Sequence, residues 1–414
     1  MKTLIFFTSQ FPFADGETFI ENEFPFLASA FEKIFIVTNN ISGKQTRTLP
    51  ENVVVIRVPY ATSSKYKLQA LFNYFNPVVQ HELRFIKSKL HLSVSPKIIS
   101  TLLGSYAHAL EINELLLKIT DQHNIDVKSL YLYSYWMNNM AAGIALFKQK
   151  YPKTKAICRA HGWDVYFERH NPPYLPLRNF IIENLDACFC ISENGKQYLE
   201  NLVSVSGKNH LKLSRLGTLN NLNKKNETNN SSLSIVSCSN IIPLKRINLI
   251  IEALAQIENI QIKWTHFGDG ELAAETKNYA DKVLSSRPDI KYSFAGQISN
   301  KELLNYYSNN PVDLFINASE TEGLPVSIME AFSFGIPAIA MNVGGISEII
   351  QDGVNGFLLS ADSSANEMAA AIINFHSLSE TEKNNFRSGA FNTWDEKFNA
   401  EKNYRRFIES ISNL

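Results

Sequence analysis

The 414-residue chain is too long for one hydrophobic core of ordinary size, so we expect two domains of roughly 200 residues each. Hydrophobic residues make up 45% of the sequence and charged residues 19%, which is typical of globular proteins. The 40 Lys and Arg residues balance 40 Asp and Glu residues. A chain without net charge has no general attraction for nucleic acid, so we expect no nucleic-acid partner.

The sequence predicts a cytoplasmic protein, with association with the inner face of the membrane left open. Its four cysteines lie in apolar stretches and form no Cys-x-x-Cys pair, which indicates buried thiols in a reducing compartment. The apolar run from Leu4 to Phe7 is too short for a signal peptide. No apolar run approaches the roughly 20 residues that span a bilayer.

Short β-branched and aromatic runs alternate with longer helical patterns, which is typical of parallel sheets built from strand–helix–strand units. The predicted strands of the first half are Thr3–Thr8, Ile34–Thr38, Val53–Val58, Ser129–Ser134, Lys155–Arg159, Ala187–Ile191 and Leu211–Arg215. Those of the second half are Ser234–Cys238, Ile262–Phe267, Ile290–Phe294, Asp313–Asn317, Ala338–Met341 and Gly356–Leu359. We therefore expect an α/β protein with two doubly wound parallel sheets.

Two segments interrupt this alternation. Residues 219–233 are rich in Asn, Lys and Ser, cannot bury a core, and are interpreted as an interdomain linker. Residues 61–105 carry six Lys and Arg residues interleaved with aromatic residues, and Glu82 is their only acid. Such a segment either rests on an anionic membrane surface or is an amphipathic helical insertion packed on the sheet. The sequence leaves both interpretations open.

The most informative stretch runs from Asp313 to Ser360. Its first predicted strand ends in a polar loop, and Pro325 stands at the expected first position of a helix. Gly335 and Pro337 are expected to stop that helix about three turns later. This pattern predicts a strand, a loop and a helix N-terminus in direct succession.

Backbone N–H groups and two acids are predicted to converge where this helix begins. Gly323 and Leu324 would present free N–H groups at the positive end of the helix dipole, which suits a diphosphate. The next strand leads into a Gly-Gly turn at 344–345, and open α/β sheets bind ligands at this carboxyl edge. Glu322 and Glu330 frame the site, and a carboxylate accepts two hydrogen bonds side by side, as vicinal sugar hydroxyls require.

This stretch resembles the donor half of retaining glycosyltransferases of family 4. These enzymes have the GT-B fold, in which two Rossmann-like domains face a central cleft. The family's E-x7-E signature falls on Glu322 and Glu330. The resemblance implies that Glu322 is catalytic and contacts the donor sugar, and that Glu330 binds the ribose hydroxyls. It also implies that Gly323 and Leu324 lie against the sugar and the phosphates.

The resemblance extends over most of the chain and implies its domain organisation. Residues 1–218 would form an acceptor-binding domain, 219–233 the linker, and 234–394 the nucleotide-sugar-binding domain. Residues 395–414 would form a C-terminal helix that returns to the N-terminal domain.

The family also carries an arginine and a lysine after the first strand of the donor domain. Lys245 matches the lysine and is assigned a catalytic and donor-binding role, whereas Asn240 stands at the arginine position. Departure of a nucleoside diphosphate needs cationic stabilisation, so a second cation is expected, with Arg246 the first candidate and Arg215 the second. Asn240, Arg246 and the Gly-Asp-Gly turn that begins at Gly268 are assigned to donor binding. The chain has no Asp-x-Asp motif, so we expect neither a metal nor another cofactor.

Two segments of the first half resemble acceptor-side motifs of the family. Residues 159–164 look like its His-Gly-x-Asp segment, which implies a catalytic role for His161 near the transferred sugar and an acceptor-binding role for Asp164. The alternative is a structural histidine. Residues 11–20 resemble a Glu-Thr-Phe-Ile loop of several bacterial polysaccharide glycosyltransferases, with a plain loop and helix cap as the alternative. The loop is assigned to acceptor or phosphate contact, and its acceptor-binding residues are Gly16, Glu17 and Thr18.

The resemblance therefore implies transfer with retention from a nucleotide sugar to a saccharide or lipid-linked saccharide, in surface polysaccharide biosynthesis. Three alternatives stay open: a nucleotide-sugar epimerase, a non-catalytic carbohydrate-binding protein, and a dinucleotide oxidoreductase. The last is suggested by the G-x-G-x-x-A match of residues 268–273, which is weak because it follows the second strand of its domain rather than the first.

Overall fold

The computed structural model describes residues 2–14, 16–59, 64–220 and 232–414. The chain divides into two compact units, Met1–Arg215 with Tyr404–Leu414 and Leu216–Asn403. Each unit contains one sheet whose named strands pair in parallel. Most of the predicted linker, 219–233, lies outside the described residues.

The first unit contains a seven-stranded sheet in the order β3-β2-β1-β4-β5-β6-β7. Its strands are β1 (Thr3–Thr8), β2 (Lys33–Thr38), β3 (Val53–Arg57), β4 (Leu130–Ser134), β5 (Lys155–Ala160), β6 (Ala187–Cys190) and β7 (Leu211–Leu213). The helices of this half are α1 (Ile20–Ala30), α2 (Ser64–Phe72), α3 (Pro77–Ser88), α4 (Pro96–Gln122), α5 (Asn139–Lys150), α6 (Arg178–Asn184), α7 (Glu193–Leu202) and α8 (Val205–Lys208).

The second unit contains a six-stranded sheet in the order β10-β9-β8-β11-β12-β13. Its strands are β8 (Leu233–Cys238), β9 (Ile262–Phe267), β10 (Ile290–Phe294), β11 (Leu314–Asn317), β12 (Ala338–Met341) and β13 (Gly356–Leu359). The helices of this half are α9 (Ile247–Ala255), α10 (Ala273–Leu284), α11 (Asn300–Asn309), α12 (Val326–Ser333), α13 (Ile346–Ile349), α14 (Ala365–Ser377), α15 (Glu380–Thr393) and α16 (Ala400–Ser412). The part of α16 from Tyr404 onward packs with the first unit.

All the predicted strands are confirmed, with small differences at their ends. In both sheets the strand order reverses beside the first strand, between β1 and β4 in the first unit and between β8 and β11 in the second. The carboxyl ends of the strands at such a reversal form a crevice that binds ligands in open α/β sheets. The fold therefore defines one candidate edge in each unit.

The cysteine prediction is confirmed for three of the four thiols. Cys158, Cys188 and Cys190 are buried in neighbouring strands β5 and β6, and Cys238 is only partly buried at the end of β8. All four are free thiols.

A charged pair lies in the core of the first unit. Arg159 Nη2 is 3.0 Å from Oε2 of Glu23, and both side chains are 0% exposed. The Tyr133 hydroxyl accepts from Arg159 Nε and donates to Glu23 Oε1. Arg159 Nη1 donates to the carbonyl of Ser214, and the guanidinium lies 4.3 Å from the ring centroid of Phe407. The pair thus links β5, α1 and the C-terminal helix within this unit.

The insertion at 61–105 has a buried inner face. Residues 61–63 lie outside the described part, and the rest forms α2, α3 and the start of α4. Glu82 of α3 is buried and accepts hydrogen bonds from the Tyr174 hydroxyl and the Leu177 N–H, both at 2.9 Å. Burial raises the pKa of Glu82 to about 6, although these two hydrogen bonds lower it. Among the described residues, no helix combines the length and apolar character that crossing a bilayer requires.

Candidate active site

The two loops at the strand reversal of the second sheet bring a lysine and a glutamate together. A 3-10 turn, Pro243–Lys245, follows β8, and a polar loop follows β11. Lys245 Nζ lies 2.6 Å from Oε1 of Glu322, and their side chains are 22% and 12% exposed. Asn317, the last residue of β11, donates to the same oxygen through Nδ2 at 3.3 Å. The predicted lysine and the first predicted acid therefore meet at the expected edge.

Helix α12 begins beside this pair. Pro325 is its N-cap with an extended backbone, so the prediction that Pro325 is the first helical residue was one position early. The helix has eight residues, about two turns rather than the predicted three, because Phe334 caps it and Gly335 then takes a φ of +71°. Within the described residues, the N–H groups of Gly323 and Leu324 donate to no protein acceptor. Both residues precede the N-cap, just before the first turn of α12, and the binding of an anion by their N–H groups stays a prediction.

The Gly-Gly turn after β12 packs directly on the loop that carries Glu322. The Gly345 N–H donates to the Gly323 carbonyl at 2.9 Å. Gly344 has a φ of +55°, and a Cβ at this position would lie 1.9 Å from the Glu322 carbonyl oxygen. The two predicted glycine-rich turns are therefore in contact, and the absence of side chains permits this contact.

Substitution of Gly344 by Ala is expected to destabilise the second unit by about 3 kcal/mol, because the methyl group meets both a backbone clash and an unfavourable φ. Gly353 is the matched control, since its φ is +72° but a Cβ there would meet nothing within 4 Å. Gly353→Ala should cost only about 1 kcal/mol. Urea denaturation of both variants measures the difference, and equal losses would contradict the close contact.

Glu330 lies on the inner face of α12 and is 7% exposed. The Asn300 Nδ2 donates to its Oε1, and burial raises the pKa of Glu330 to about 7, although this hydrogen bond lowers it. Sequence reasoning missed Asn300. The capping box of Ser299 and Glu302 identifies it as the first residue of α11, but no local pattern pairs it with Glu330.

Arg246 is held by backbone carbonyls of its own unit. Its Nε donates to Ala318 at 2.7 Å, and its Nη2 to Ser319 and Ala361 at 3.4 Å each. The guanidinium therefore stabilises the loop after β11. Its role as the second cation stays a prediction, and the other candidate, Arg215, belongs to the first unit.

The turn that begins at Gly268 packs against the loop after β8. Gly268 has a φ of +141° and donates its N–H to the Gly296 carbonyl, and a Cβ there would lie 1.9 Å from the Ser239 carbonyl oxygen. The side chain of Asn240, in the loop after β8, is exposed. Donor contact by Gly268 and Asn240 stays a prediction. The turn follows β9, the second strand of the unit, whereas a dinucleotide-binding fingerprint follows the first strand.

His161 follows β5 in the first unit and is 7% exposed. Its ring centroid lies 4.5 Å from that of Trp136, 4.8 Å from Tyr135 and 5.9 Å from Phe19. Neither ring nitrogen has a hydrogen-bond partner among the described residues, and Nδ1 is 3.9 Å from Oδ2 of Asp164. The imidazole is thus enclosed by aromatic rings and keeps its hydrogen-bonding capacity.

Asp164 is bound by protein donors. Its Oδ1 accepts from the His161 N–H at 2.6 Å, and its Oδ2 accepts from the Met137 N–H at 2.7 Å. Burial alone would raise the pKa of Asp164, but its interactions with His161, Arg178 and the Met137 N–H lower it overall. The carboxylate therefore fixes the loops after β4 and β5, and a direct contact with an acceptor stays a prediction.

The loop after β1 contains the other residues assigned to the acceptor. The Gly16 carbonyl accepts from Arg47 Nη2, the Thr18 side chain is exposed, and the Glu17 carboxylate accepts hydrogen bonds from within the loop. Phe19 is the N-cap of α1 and makes no side-chain capping bond, whereas the Glu17 carboxylate binds within the loop, so the alternative of a structural loop stays open. Acceptor contact by Gly16, Glu17 and Thr18 stays a prediction.

Comparison with known proteins finds a family match in the second unit. Residues 220–391 match the family model of glycosyl transferases, group 1. The chain is 25% identical to an uncharacterized glycosyltransferase of Methanocaldococcus jannaschii over 259 residues, 62% of this chain and 68% of the relative. It is 28% identical to a lipopolysaccharide 1,2-N-acetylglucosaminetransferase of Salmonella typhimurium over 190 residues, 43% of this chain and 48% of the relative.

The solved structure of Anabaena HepE in complex with UDP superposes with a TM-score of 0.69 at 17% identity, covering 100% of both chains. The comparisons support a group 1 glycosyltransferase with the GT-B fold. At this identity the structural likeness shows the fold alone. The family match covers the unit that contains Lys245, Glu322 and Glu330.

Proposed function

We propose that this chain is a retaining glycosyltransferase of the family 4 type that needs no metal and acts in the cytoplasm. It transfers a sugar from a nucleotide sugar, bound by the second unit, to a saccharide or lipid-linked saccharide acceptor. The proposal rests on the contact of Lys245 with Glu322. The neighbouring N–H groups of Gly323 and Leu324 have no protein acceptor among the described residues. One sheet edge thus combines a cation, a carboxylate and hydrogen-bond donors for an anion.

The comparisons support the choice of substrates. HepE, which has the same fold, binds UDP, so a nucleoside diphosphate is the expected leaving group. The Salmonella relative transfers N-acetylglucosamine in lipopolysaccharide, which supports a saccharide acceptor of the bacterial surface. The transferred sugar and the linkage are left open by this proposal.

The proposed chemistry is a substitution on one face of the donor sugar. The bond from the anomeric carbon to the phosphate oxygen breaks, and its electron pair stays on the diphosphate. Lys245 and the N–H groups of Gly323 and Leu324 stabilise that charge. The acceptor hydroxyl forms the new bond from the same face and gives its proton to the departing phosphate oxygen. Glu322 accepts hydrogen bonds from the sugar hydroxyls, and no covalent intermediate with the protein forms.

The test is release of nucleoside diphosphate from candidate donors, with and without an acceptor extract. Acceptor-dependent release supports the proposal, and release that EDTA does not change supports metal independence. Conversion of the donor alone to an epimer would identify the epimerase alternative. Carbohydrate binding without release would identify a binding protein, and tight binding of a nicotinamide dinucleotide would identify the oxidoreductase.

The raised pKa of Glu330 predicts that nucleotide affinity depends on pH. Ribose hydroxyls bind the ionised carboxylate best, and the ionised fraction rises about tenfold between about pH 6 and about pH 8 when the pKa is about 7. We expect the affinity for UDP to rise by about that factor over this interval, measured by isothermal titration calorimetry. Glu330→Gln should remove this pH dependence. Because the phosphate of the nucleotide titrates in the same way with both proteins, any pH dependence that remains in the variant comes from the nucleotide. A profile shared by both proteins would contradict the assignment.

The raised pKa of Glu330 makes the stability of the fold depend on pH in the opposite direction to nucleotide affinity. Because burial raises the pKa of Glu330 from 4.5 to about 7, the protonated group stabilises the fold fully below about pH 4.5. This contribution is lost as the pH rises through about 7. As the pH rises, the affinity for the nucleotide is therefore expected to increase, while the stability of the nucleotide-free protein is expected to decrease.

The outer side of the 61–105 insertion supports a peripheral contact with the inner face of the membrane. The side chains of Leu68, Phe72 and Phe75 are 55%, 79% and 83% exposed. The only acid of this segment, Glu82, is buried, whereas all six cations are exposed: Lys65, Lys67, Arg84, Lys87, Lys89 and Lys97. Lys65 pairs with Glu114 of α4, and the other five have no acid partner among the described residues. Exposed apolar side chains among unopposed cations match an anionic bilayer.

Sedimentation with vesicles tests this contact. The protein should bind vesicles of phosphatidylglycerol and phosphatidylcholine and not vesicles of phosphatidylcholine alone. Phe72→Ser with Phe75→Ser should weaken binding at least about tenfold, since each ring contributes more than about 1 kcal/mol. Ile373→Ser, at an exposed apolar residue of the second unit, is the matched control. Equal vesicle binding by all variants would contradict the membrane contact. If the Phe72 and Phe75 substitutions instead abolish a dimer that the wild-type protein forms in solution, a second copy of the chain covers this surface.

A further inference from the structure

The carboxylate of Glu17 is bound to the loop that leaves the central strand of the first sheet. Its Oε1 accepts from the Ser9 N–H at 3.0 Å, and its Oε2 accepts from the N–H groups of Gln10 and Phe11 at 2.7 and 2.8 Å. A fourth hydrogen bond, 2.6 Å long, reaches Oε1 from the Trp136 indole Nε1. The Glu17 carboxylate thus accepts hydrogen bonds from three successive backbone N–H groups and from one indole N–H group.

Successive N–H groups at the carboxyl end of a central parallel strand form an anion-binding site. In doubly wound sheets this loop is where a ligand phosphate commonly binds. Here the loop follows β1, next to the strand reversal between β1 and β4, and the anion is the protein's own Glu17. The N–H groups are therefore already satisfied without a ligand.

The fourth hydrogen bond connects this loop to His161. Trp136 follows β4, across the strand reversal from the loop after β1. Its ring lies 4.5 Å from the His161 ring and 6.0 Å from the ring of Phe19. Trp136 and Phe19 are partly exposed, whereas His161 is buried with neither ring nitrogen bonded among the described residues. A buried imidazole without a partner points to a ligand group that is bound in the working enzyme.

We propose that Glu17 is a positioning residue that fills the backbone anion site and holds Trp136 against His161, so that this edge receives an uncharged saccharide rather than a phosphate. The inference rests on the proposed function and specifies the acceptor chemistry of the first unit. Aromatic rings supply apolar surface with a polar edge, which suits the C–H face of a sugar ring. A neutral imidazole donates from one nitrogen and accepts at the other, which suits a hydroxyl group.

The kinetic test replaces Glu17 by Ala and measures transfer at varied acceptor concentration. The acceptor KM should rise at least about tenfold, while donor hydrolysis without acceptor stays within about twofold. Added formate, a small carboxylate that fits the vacated N–H groups, should recover at least about threefold in kcat/KM. The matched control is Glu21→Ala, which removes a half-exposed carboxylate paired with Arg47 on the following helix and should leave KM unchanged.

A second variant and a binding measurement keep the inference falsifiable. If Glu17→Ala does not fold, Trp136→Phe keeps the ring, removes the indole N–H and should raise the acceptor KM in the same direction. Inorganic phosphate should raise the unfolding temperature of Glu17→Ala but not that of the wild-type protein. An unchanged acceptor KM in both variants, or equal phosphate effects in Glu17→Ala and wild type, would overturn the inference.

Failure of the proposed function gives a different result. In that case the wild-type protein releases no nucleoside diphosphate from any donor. The phosphate measurement needs no turnover, so it still tests whether Glu17 occupies an anion site.

Discussion

Replacement of Lys245 by Ala is expected to lower the turnover number about 100-fold, which corresponds to about 2.7 kcal/mol of lost transition-state stabilisation. Its ammonium group is the cation that contacts Glu322 at the strand reversal of the second sheet. The charge on the diphosphate grows as the sugar leaves, so the loss should appear in kcat more than in the donor KM. Steady-state kinetics of nucleoside diphosphate release measure both constants.

Lys402→Ala is the control for this experiment. Lys402 is also paired with a carboxylate, since its Nζ lies 2.7 Å from Asp395, but its side chain is 47% exposed and distant in sequence from the site loops. This variant should keep the turnover of the wild-type protein. If Lys245→Ala did the same, the leaving-group role of Lys245 would be wrong.

Replacement of Glu23 by Ala is expected to destabilise the first unit by about 3 to 5 kcal/mol, because Arg159 would remain charged and unpaired in the core. Both side chains are 0% exposed, and burial alone would lower the pKa of Arg159, but the Glu23 carboxylate raises it above its ordinary value. Urea denaturation followed by tryptophan fluorescence measures the loss. At low temperature, where the Glu23→Ala variant remains folded, it should keep its activity.

The neighbouring Glu21 provides the matched control. Glu21 pairs with Arg47 at the surface, where its side chain is 47% exposed, so Glu21→Ala should cost less than about 1 kcal/mol. The double variant Glu23→Leu with Arg159→Met should recover most of the stability, since it removes both buried charges. A loss for Glu23→Ala no larger than that for Glu21→Ala would contradict the account of the pair.

The sheets could be predicted because their strands are marked locally. Each is a short run of β-branched and aromatic residues bounded by polar turns, and parallel strands buried on both faces keep that pattern. The meeting of Lys245 with Glu322 could be predicted as well. Both follow strands whose carboxyl ends must share one edge once β8 and β11 are neighbours.

Contacts between residues far apart in sequence could not be predicted in this way. Asn300, the first residue of α11, bonds to Glu330 of α12 although 30 residues separate them, and no periodicity encodes that pairing. The hydrogen bond from Trp136 to Glu17 could not be predicted, because 119 residues separate the two in the chain. The hydrogen bonds from Arg246 to backbone carbonyls could not be predicted either, because these carbonyls have no sequence signal. Backbone acceptors are the same for every residue type, so sequence cannot show which of them a side chain binds.

The central claim is that the edge of the second sheet, at the reversal between β8 and β11, binds an activated sugar. A crystal structure of the protein with UDP tests it most directly. We expect the phosphates to contact Lys245 and the N–H groups of Gly323 and Leu324, and the ribose hydroxyls to contact Glu330. A nucleotide bound at another place, with this edge empty, would contradict the claim.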